Sequence, residues 1–323
     1  MWKTVVRRLL ILIPQLLFIS AAVFFMSQAM PGDALTGVFG EMDVDAQIIE
    51  ELREEFGLND PLLQQYGRWV WGIVTEFDFG RTLTQGRRPV TDLIGERMAN
   101  SVRLAILTLI FQYALAIPLG VIAARRRGTV IDKAIVLYTF AAMAMPTIVL
   151  ALLMLFTFGF NLSWFPIRGS VDVLLETGSF AYFISRIHHL ILPSITAALL
   201  GTVFIINILR SEIIDAQNSD YVTTARSKGV PAGRIYSKHI LRNSALPIVS
   251  MLGFAVAGLF TGSIFIETIF SYPGIGQLFV TSITTRDFPV SNALVLMTAF
   301  LIAMGALIGD VLLTVVDPRI RVR

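Results

Sequence analysis

Apolar runs of about 20 residues, the length a helix needs to cross a bilayer, recur six times along the chain. They fall at approximately 9–30, 104–124, 134–160, 190–209, 246–266 and 292–316. The first, LLILIPQLLFISAAVFFMSQAM, has 22 residues. A signal-peptide core has only about 7 to 15, so this run reads as a retained anchor. The fourth is short and opens on LILPS. Between the first two runs, residues 31–103 are polar but patterned. DVDAQIIEELREEFG places Ile48, Ile49, Leu52 and Phe56 on one helical stripe, with acids in the first turn and Gly57 as a stop. In NDPLLQQYGRWVWG, Asn59 or Asp60 is a candidate cap and Pro61 suits the first helical position. Leu62, Leu63, Tyr66, Trp69, Val70 and Ile73 then share a face. With Trp69 and Trp71, two readings fit: a surface for the membrane interface or a partner, or a lid packed on the chain's own spans.

The runs carry internal punctuation. Pro118, Pro146 and Pro193 lie in or at the edge of apolar stretches, where neighbours must satisfy the freed backbone groups. Gly258 with Gly262, and Gly305 with Gly309, are small residues four apart that permit close helix contact. Gln112, Asn207 and Asp310 are the main polar residues within the spans. Asp310 stands near the end of the last run, where capping or pairing accounts for it.

Composition agrees with lipid as the main solvent: 55% of residues are hydrophobic and 15% charged, with a mean hydropathy of +0.71. Charge then orients the spans. An even number of spans leaves both termini on one side, together with the loop near Arg125 and residues 218–243. That side holds 16 of the 26 basic residues and six of the 23 acids. Basic residues in short loops resist translocation, so it is the cytoplasmic side, and residues 31–103 and 267–290 are external. The pI of about 9.3 therefore reflects topology and not nucleic-acid binding. There is no cysteine, which excludes disulfides and thiolate metal sites.

Catalytic constellations are missing. No GxxxxGK[ST] phosphate loop occurs; the pair Gly229 and Gly233 is followed by Arg234. There is no HExxH and no GxSxG. His188 and His189 are adjacent, so on a helix they diverge by about 100° and cannot share a metal. Interfacial anchoring suits that pair, and a surface contact suits His239.

One polar, basic stretch stands out between two apolar runs: DYVTTARSKGVPAGRIYSKHILRN, Asp220 to Asn243. Ser219 or Asp220 is positioned to cap a short helix, and Gly229 to end it in a left-handed conformation. Pro231 then starts a second helix that runs to Leu246-Pro247. The first helix offers Tyr221, Val222 and Ala225 with little bulk at Gly229, and cations at Arg226 and Lys228. Physical chemistry leaves two readings open: an elbow inserted into a groove of another protein, or a loop reading anionic headgroups.

This stretch resembles the EAA loop of permease subunits of ABC importers, E-A-A-x3-G-x9-I-x-L-P. Thr223, Thr224 and Ala225 stand for E-A-A and Gly229 for the glycine. His239 and Arg242 replace the isoleucine and proline, and Leu-Pro appears later as Leu246-Pro247. The wording DYVTTARSKG and HILRNSALP is similar to the dipeptide and oligopeptide branch. The likeness continues through RRLL, MPGDAL, FGLNDPLLQQYGRWV, DFGRTL, GRRPVTDLI, ETIFSYPGIGQLF and DPRIR, an ordered series covering nearly the whole chain.

The resemblance implies an all-α, six-span type I importer permease, the first transmembrane subunit of a peptide importer, in a bacterial inner membrane. Its implied partners are a paralogous permease, two ATPase subunits that bind the ATP and magnesium, and an external peptide-binding lipoprotein; this chain itself carries no cofactor and is not an enzyme. The elbow corresponds to the coupling helix, with Asp220, Tyr221, Thr224, Ala225, Arg226, Lys228 and Gly229 as expected ATPase contacts. The turn with Glu267, Pro273, Gly274 and Gly276 is a candidate external gate, or a re-entry turn shaped by proline and glycine. Nickel, glutathione or a signalling peptide remain alternative cargoes within the branch. A secondary transporter would call for mid-membrane charges and internal repeats, and neither is visible.

Overall fold

Helices make up nearly all the regular structure among the described residues, with one isolated antiparallel bridge between Arg81 and Pro89. The computed structural model describes residues 2–29, 59–84, 86–248 and 263–316, together with positions 47, 50, 51, 53, 57 and 251. In chain order the helices are α1 (Trp2–Gln28), α2 (Leu62–Glu76), α3 (Val90–Arg125), α4 (Val130–Ala144) and α5 (Thr147–Met154, continued as a π-wound turn over Leu155–Asn161). They continue with α6 (Phe180–Gln217), α7 (Asp220–Ser227) and α8, which opens at Ala232–Arg234, is π-wound over Ile235–Ile240 and closes over Leu241–Ser244. The last are α9 (Ile264–Ile269), α10 (Ile275–Thr284) and α11 (Phe288–Val316).

Four of these helices are long and apolar enough to cross a membrane: Leu10–Gln28 of α1, α3, α6, and Phe288–Leu307 of α11. The bent pair α4–α5 makes a fifth candidate. The expected span 246–266, the helix expected over 43–57 and the Gly258–Gly262 pair lie largely outside the described residues. So do the side-chain surroundings of Gly309 and Asp310.

Three of the runs take forms that hydropathy alone does not specify. The run 134–160 is not one straight helix. Met145 turns extended (φ −84°, ψ 116°) ahead of Pro146, and the two pieces meet at 105°. Proline removes an amide donor and drives its predecessor out of helical geometry. Pro118 and Pro193, by contrast, sit inside unbroken helices. The second and fourth runs also understate their helices: α3 has 36 residues and α6 has 38. At 1.5 Å per residue these are about 55 Å long, well beyond a hydrocarbon core of about 30 Å.

Two compact units emerge. The first comprises residues 1–102, 260–264 and 273–304. Here the second reading of α2 holds for its inner face. Phe24 of α1 stacks on Trp69 at 5.8 Å and meets Tyr66 at 5.5 Å, while the Tyr66 hydroxyl lies 2.9 Å from that of Ser20. Leu62, Leu63 and Trp71 stay exposed. Pro61, and not Asn59 or Asp60, occupies the N-cap, and the Asp60 carboxylate pairs with Arg68. Val90, Leu93 and Ile94 pack with Ile275, Leu278, Val290, Ala293 and Leu294 as the unit's core. Beside it, the buried carboxylate of Asp287 accepts from the hydroxyls of Thr82 and Thr84 and from the Leu83 amide.

The second unit comprises residues 103–259, 265–272 and 305–323. One core joins Ala116, Ala123 and Ala124 of α3 and Ile135 of α4 to Ile205, Ile206, Leu209 and Ile213 of α6. Val222, Ala225, Ile235, Ile240 and Ile248 complete it. Within this unit Gln112 is satisfied, donating to the Gly201 carbonyl at 2.8 Å, whereas Asn207 is exposed. His188 bonds the Trp164 carbonyl and His189 the Ser185 carbonyl, each at 2.8 Å.

Candidate functional site

The elbow is built from local rules. Ser219 takes the N-cap position of α7, but its hydroxyl donates back to Asp215 instead of capping. Its carbonyl accepts from Val222 at 3.0 Å and Thr223 at 3.2 Å. Asp220 in the first turn and Arg226 in the last both complement the helix dipole. The end of α7 is a Schellman motif. Gly229 donates to Arg226 at 2.9 Å, Val230 donates to Ala225 at 3.2 Å, and Gly229 holds φ +71°. A glycine suits this position because a side chain would strain a left-handed backbone.

Burial sorts the expected contact residues by direction. Asp220, Tyr221, Thr224, Arg226, Lys228 and Gly229 are exposed. Val222 is 0% exposed and Ala225 only 8%, because both close the core formed by α3, α4 and α6. Ala225 therefore faces inward and anchors the elbow, a correction to its expected place on the outer surface. An i, i+3 pair of small apolar residues on an eight-residue helix supplies the only stripe α7 has for packing.

Pro231 occupies the N-cap of α8, one position earlier than expected, and α8 turns π-wound at Ile235. Widened helical turns of this kind often mark functional sites. Under the elbow lies a cavity of about 430 Å³, lined by Arg125, Gln217, Arg226, Gly233 and Tyr236 among others. The Arg125 guanidinium stacks on the Tyr236 ring at 4.6 Å, and burial pushes the Tyr236 phenol up from its ordinary value. Sequence reasoning used Arg125 only as a topological marker and passed over Gln217 and Tyr236. Their convergence depends on α3, α6 and α8 meeting, which no local pattern announces.

The candidate gate residues divide between the units. Glu267, in the second, is fully buried, and its carbonyl accepts from the Tyr272 amide at 2.8 Å. Pro273, Gly274 and Gly276 belong to the first. There Asn100 donates to the Pro273 carbonyl at 2.9 Å, and the Ser101 hydroxyl receives the Ile275 amide at 2.8 Å. Gly274 and Gly276 are both buried.

Residues 116–322 match the family described as binding-protein-dependent transport system inner membrane component, and residues 1–105 match its N-terminal companion. The chain belongs to this family. The oligopeptide transport system permease protein AppB of Bacillus subtilis is 36% identical over 98% of both chains. The dipeptide transport system permease protein DppB of Lactococcus lactis is 35% identical over 99% of this chain and all of its own. DppB of Escherichia coli K12 is 33% identical over 99% of both. A solved structure of the MetNI methionine ABC transporter in inward-facing conformations shares the fold, with a TM-score of 0.53 at 15% identity. It covers 70% of this chain and 97% of its own. The chain is thus a multi-pass membrane permease of the ABC-transporter type.

Proposed function

We propose that this chain is one permease subunit of an ATP-driven importer that takes up peptides delivered by an external binding protein. The observation that carries this reading is likeness along the full length to proteins named as dipeptide and oligopeptide permeases. Those names favour peptide over nickel or glutathione as cargo.

In this reading the membrane is the bacterial inner membrane, both termini are cytoplasmic, and the undescribed run 246–266 supplies a sixth span. A paralogous permease completes the pathway. Two ATPase subunits hold ATP and magnesium, and α7 is the coupling helix seated on one of them. Asp220, Tyr221, Thr224, Arg226, Lys228 and Gly229 form the contact face, supported by their joint exposure beside the cavity at Arg125 and Arg226. Ala225 acts from within, holding α7 to the spans. Pro273, Gly274 and Gly276 are the proposed external-gate residues, supported by the Asn100 and Ser101 side chains that bond the backbone of the turn, with Glu267 as a further candidate on the preceding helix.

Purification of the tagged chain from its own membranes tests the reading. ATPase subunits and a second permease should accompany it, and the isolated chain should neither bind nor hydrolyse ATP. Robust hydrolysis by the isolated chain would exclude the assignment.

A further inference from the structure

Asp132 and Arg210 are 78 positions apart, yet they form a two-pronged ion pair. Arg210 Nε donates to Asp132 Oδ1 at 2.8 Å, and a terminal guanidinium nitrogen donates to Oδ2 at 2.9 Å. The Gly128 amide adds a third donor to Oδ2 at 2.8 Å. Asp132 is only 4% exposed. The fork-to-carboxylate geometry fixes direction as well as distance, which a single-point lysine contact would not do.

Placement gives the pair its meaning. Asp132 stands in the first turn of α4, and Arg210 lies near the end of α6, two turns before α6 gives way to α7. Further along, the Tyr138 hydroxyl of α4 donates to the Leu199 carbonyl of α6 at 2.8 Å. The two ties run antiparallel, so α4 is fixed to α6 at two levels. Val222 and Ala225 of α7 pack in the same core as Leu209 and Ile213 of α6. Displacement of α7 is therefore passed to the end of α6. From there the ion pair ties the end of α6 to the start of α4, ahead of the Tyr138 bond, and the other end of α4 is the 105° break at Met145–Pro146.

We infer that Asp132 and Arg210 are positioning residues that transmit elbow movement to the broken α4–α5 span. This inference rests on the reading of α7 as the ATPase-coupling helix. Without the pair, α7 still docks and ATP is still hydrolysed, but α4 lags behind α6 and the pathway opens less often per turnover.

The test uses the whole importer, reconstituted in vesicles with its ATPase subunits and peptide-binding protein. Peptide taken up per ATP hydrolysed is measured for wild type, Asp132→Asn, Arg210→Lys and the reversed pair Asp132→Arg/Arg210→Asp. Both single variants should keep ATPase association and lower the uptake-to-hydrolysis ratio by about fivefold or more, the lower end of a typical coupling energy. The reversed pair should recover part of that loss. An unchanged ratio in either single variant, in complex assembled at wild-type level, overturns the inference while leaving the coupling role of α7 intact. Should Asp132→Asn fail to assemble, Arg210→Lys, which keeps the charge and loses the fork, is read by the same ratio. If all three variants lose assembly, or the ratio stays constant wherever complex forms, the pair is purely structural and the inference falls. Failure of the wild-type chain to retain any ATPase subunit would instead reject the coupling reading itself.

Discussion

The amide of Val230 donates to the carbonyl of Ala225 at 3.2 Å, closing α7 across a glycine. The same Ala225 is buried in the core of the second unit, so the residue that closes α7 also anchors it to that core.

Gly229→Asp follows directly. A Cβ at Gly229 would meet nothing within 4 Å, so space is not the obstacle. At φ +71° the cost is backbone strain of about 1–2 kcal/mol, and the added carboxylate enters a face lined by Arg226 and Lys228. The variant should insert normally, and its complex should still dock the loaded binding protein. ATPase retention, peptide-stimulated hydrolysis and uptake should fall. Gly229→Asn, which tolerates the left-handed region better, should be milder. Wild-type uptake by well-expressed Gly229→Asp complex would remove the elbow from the coupling path.

Gly201 lies under the side chain of Gln112. A Cβ there would approach the Gln112 amide carbon to 2.7 Å, so Gly201→Ala should displace the flexible end of Gln112 from the Gly201 carbonyl and destabilise the purified protein by about 1 kcal/mol, the scale of one hydrogen bond. Adding Gln112→Ala should return part of that loss, because it removes the clashing group. Thermal unfolding of the two singles and the double, read as a mutant cycle, checks this; strict additivity would contradict the contact.

Asp287 holds the segment 82–84 by four donors, the hydroxyls of Thr82 and Thr84 and the amides of Leu83 and Thr84. Asp287→Ala should cost about 2–3 kcal/mol, the scale for hydrogen bonds to a charged group. It should also raise hydrogen exchange at the Leu83 and Thr84 amides before it affects α6. Equal protection of those amides in variant and wild type would show that the carboxylate does not order them.

Topology can be read with single cysteines in this cysteine-free chain. Val74 on α2 and Ser227 on α7 are both exposed. Val74→Cys should label from outside the cell and Ser227→Cys only after the membrane is opened. Labelling of both from outside overturns the orientation drawn from charge.

Much of this protein was legible as local chemistry. Apolar runs announced α1, α3, α6 and α11, since one helix suffices to satisfy its own backbone in lipid. The positive φ at Gly229 was legible because a helix that ends in a Schellman turn needs a left-handed residue at that point. The reach of α3 and α6 beyond their apolar runs was not, because helical hydrogen bonding continues wherever residues permit and does not stop where hydrophobicity does.

Tertiary structure alone decided the rest. Proline marked three possible breaks, but only at Pro146 does the chain bend, while Pro118 and Pro193 are carried through unbroken helices. Sequence placed Val222 and Ala225 on the elbow and could not say that they face inward, because a helix of eight residues takes its buried side from whatever packs against it. The pairings of Asp132 with Arg210 and of Asp287 with Thr82 join residues 78 and 205 positions apart. A charged side chain in the sequence shows only what it can bond; its partner is chosen by which helices the folded core brings together.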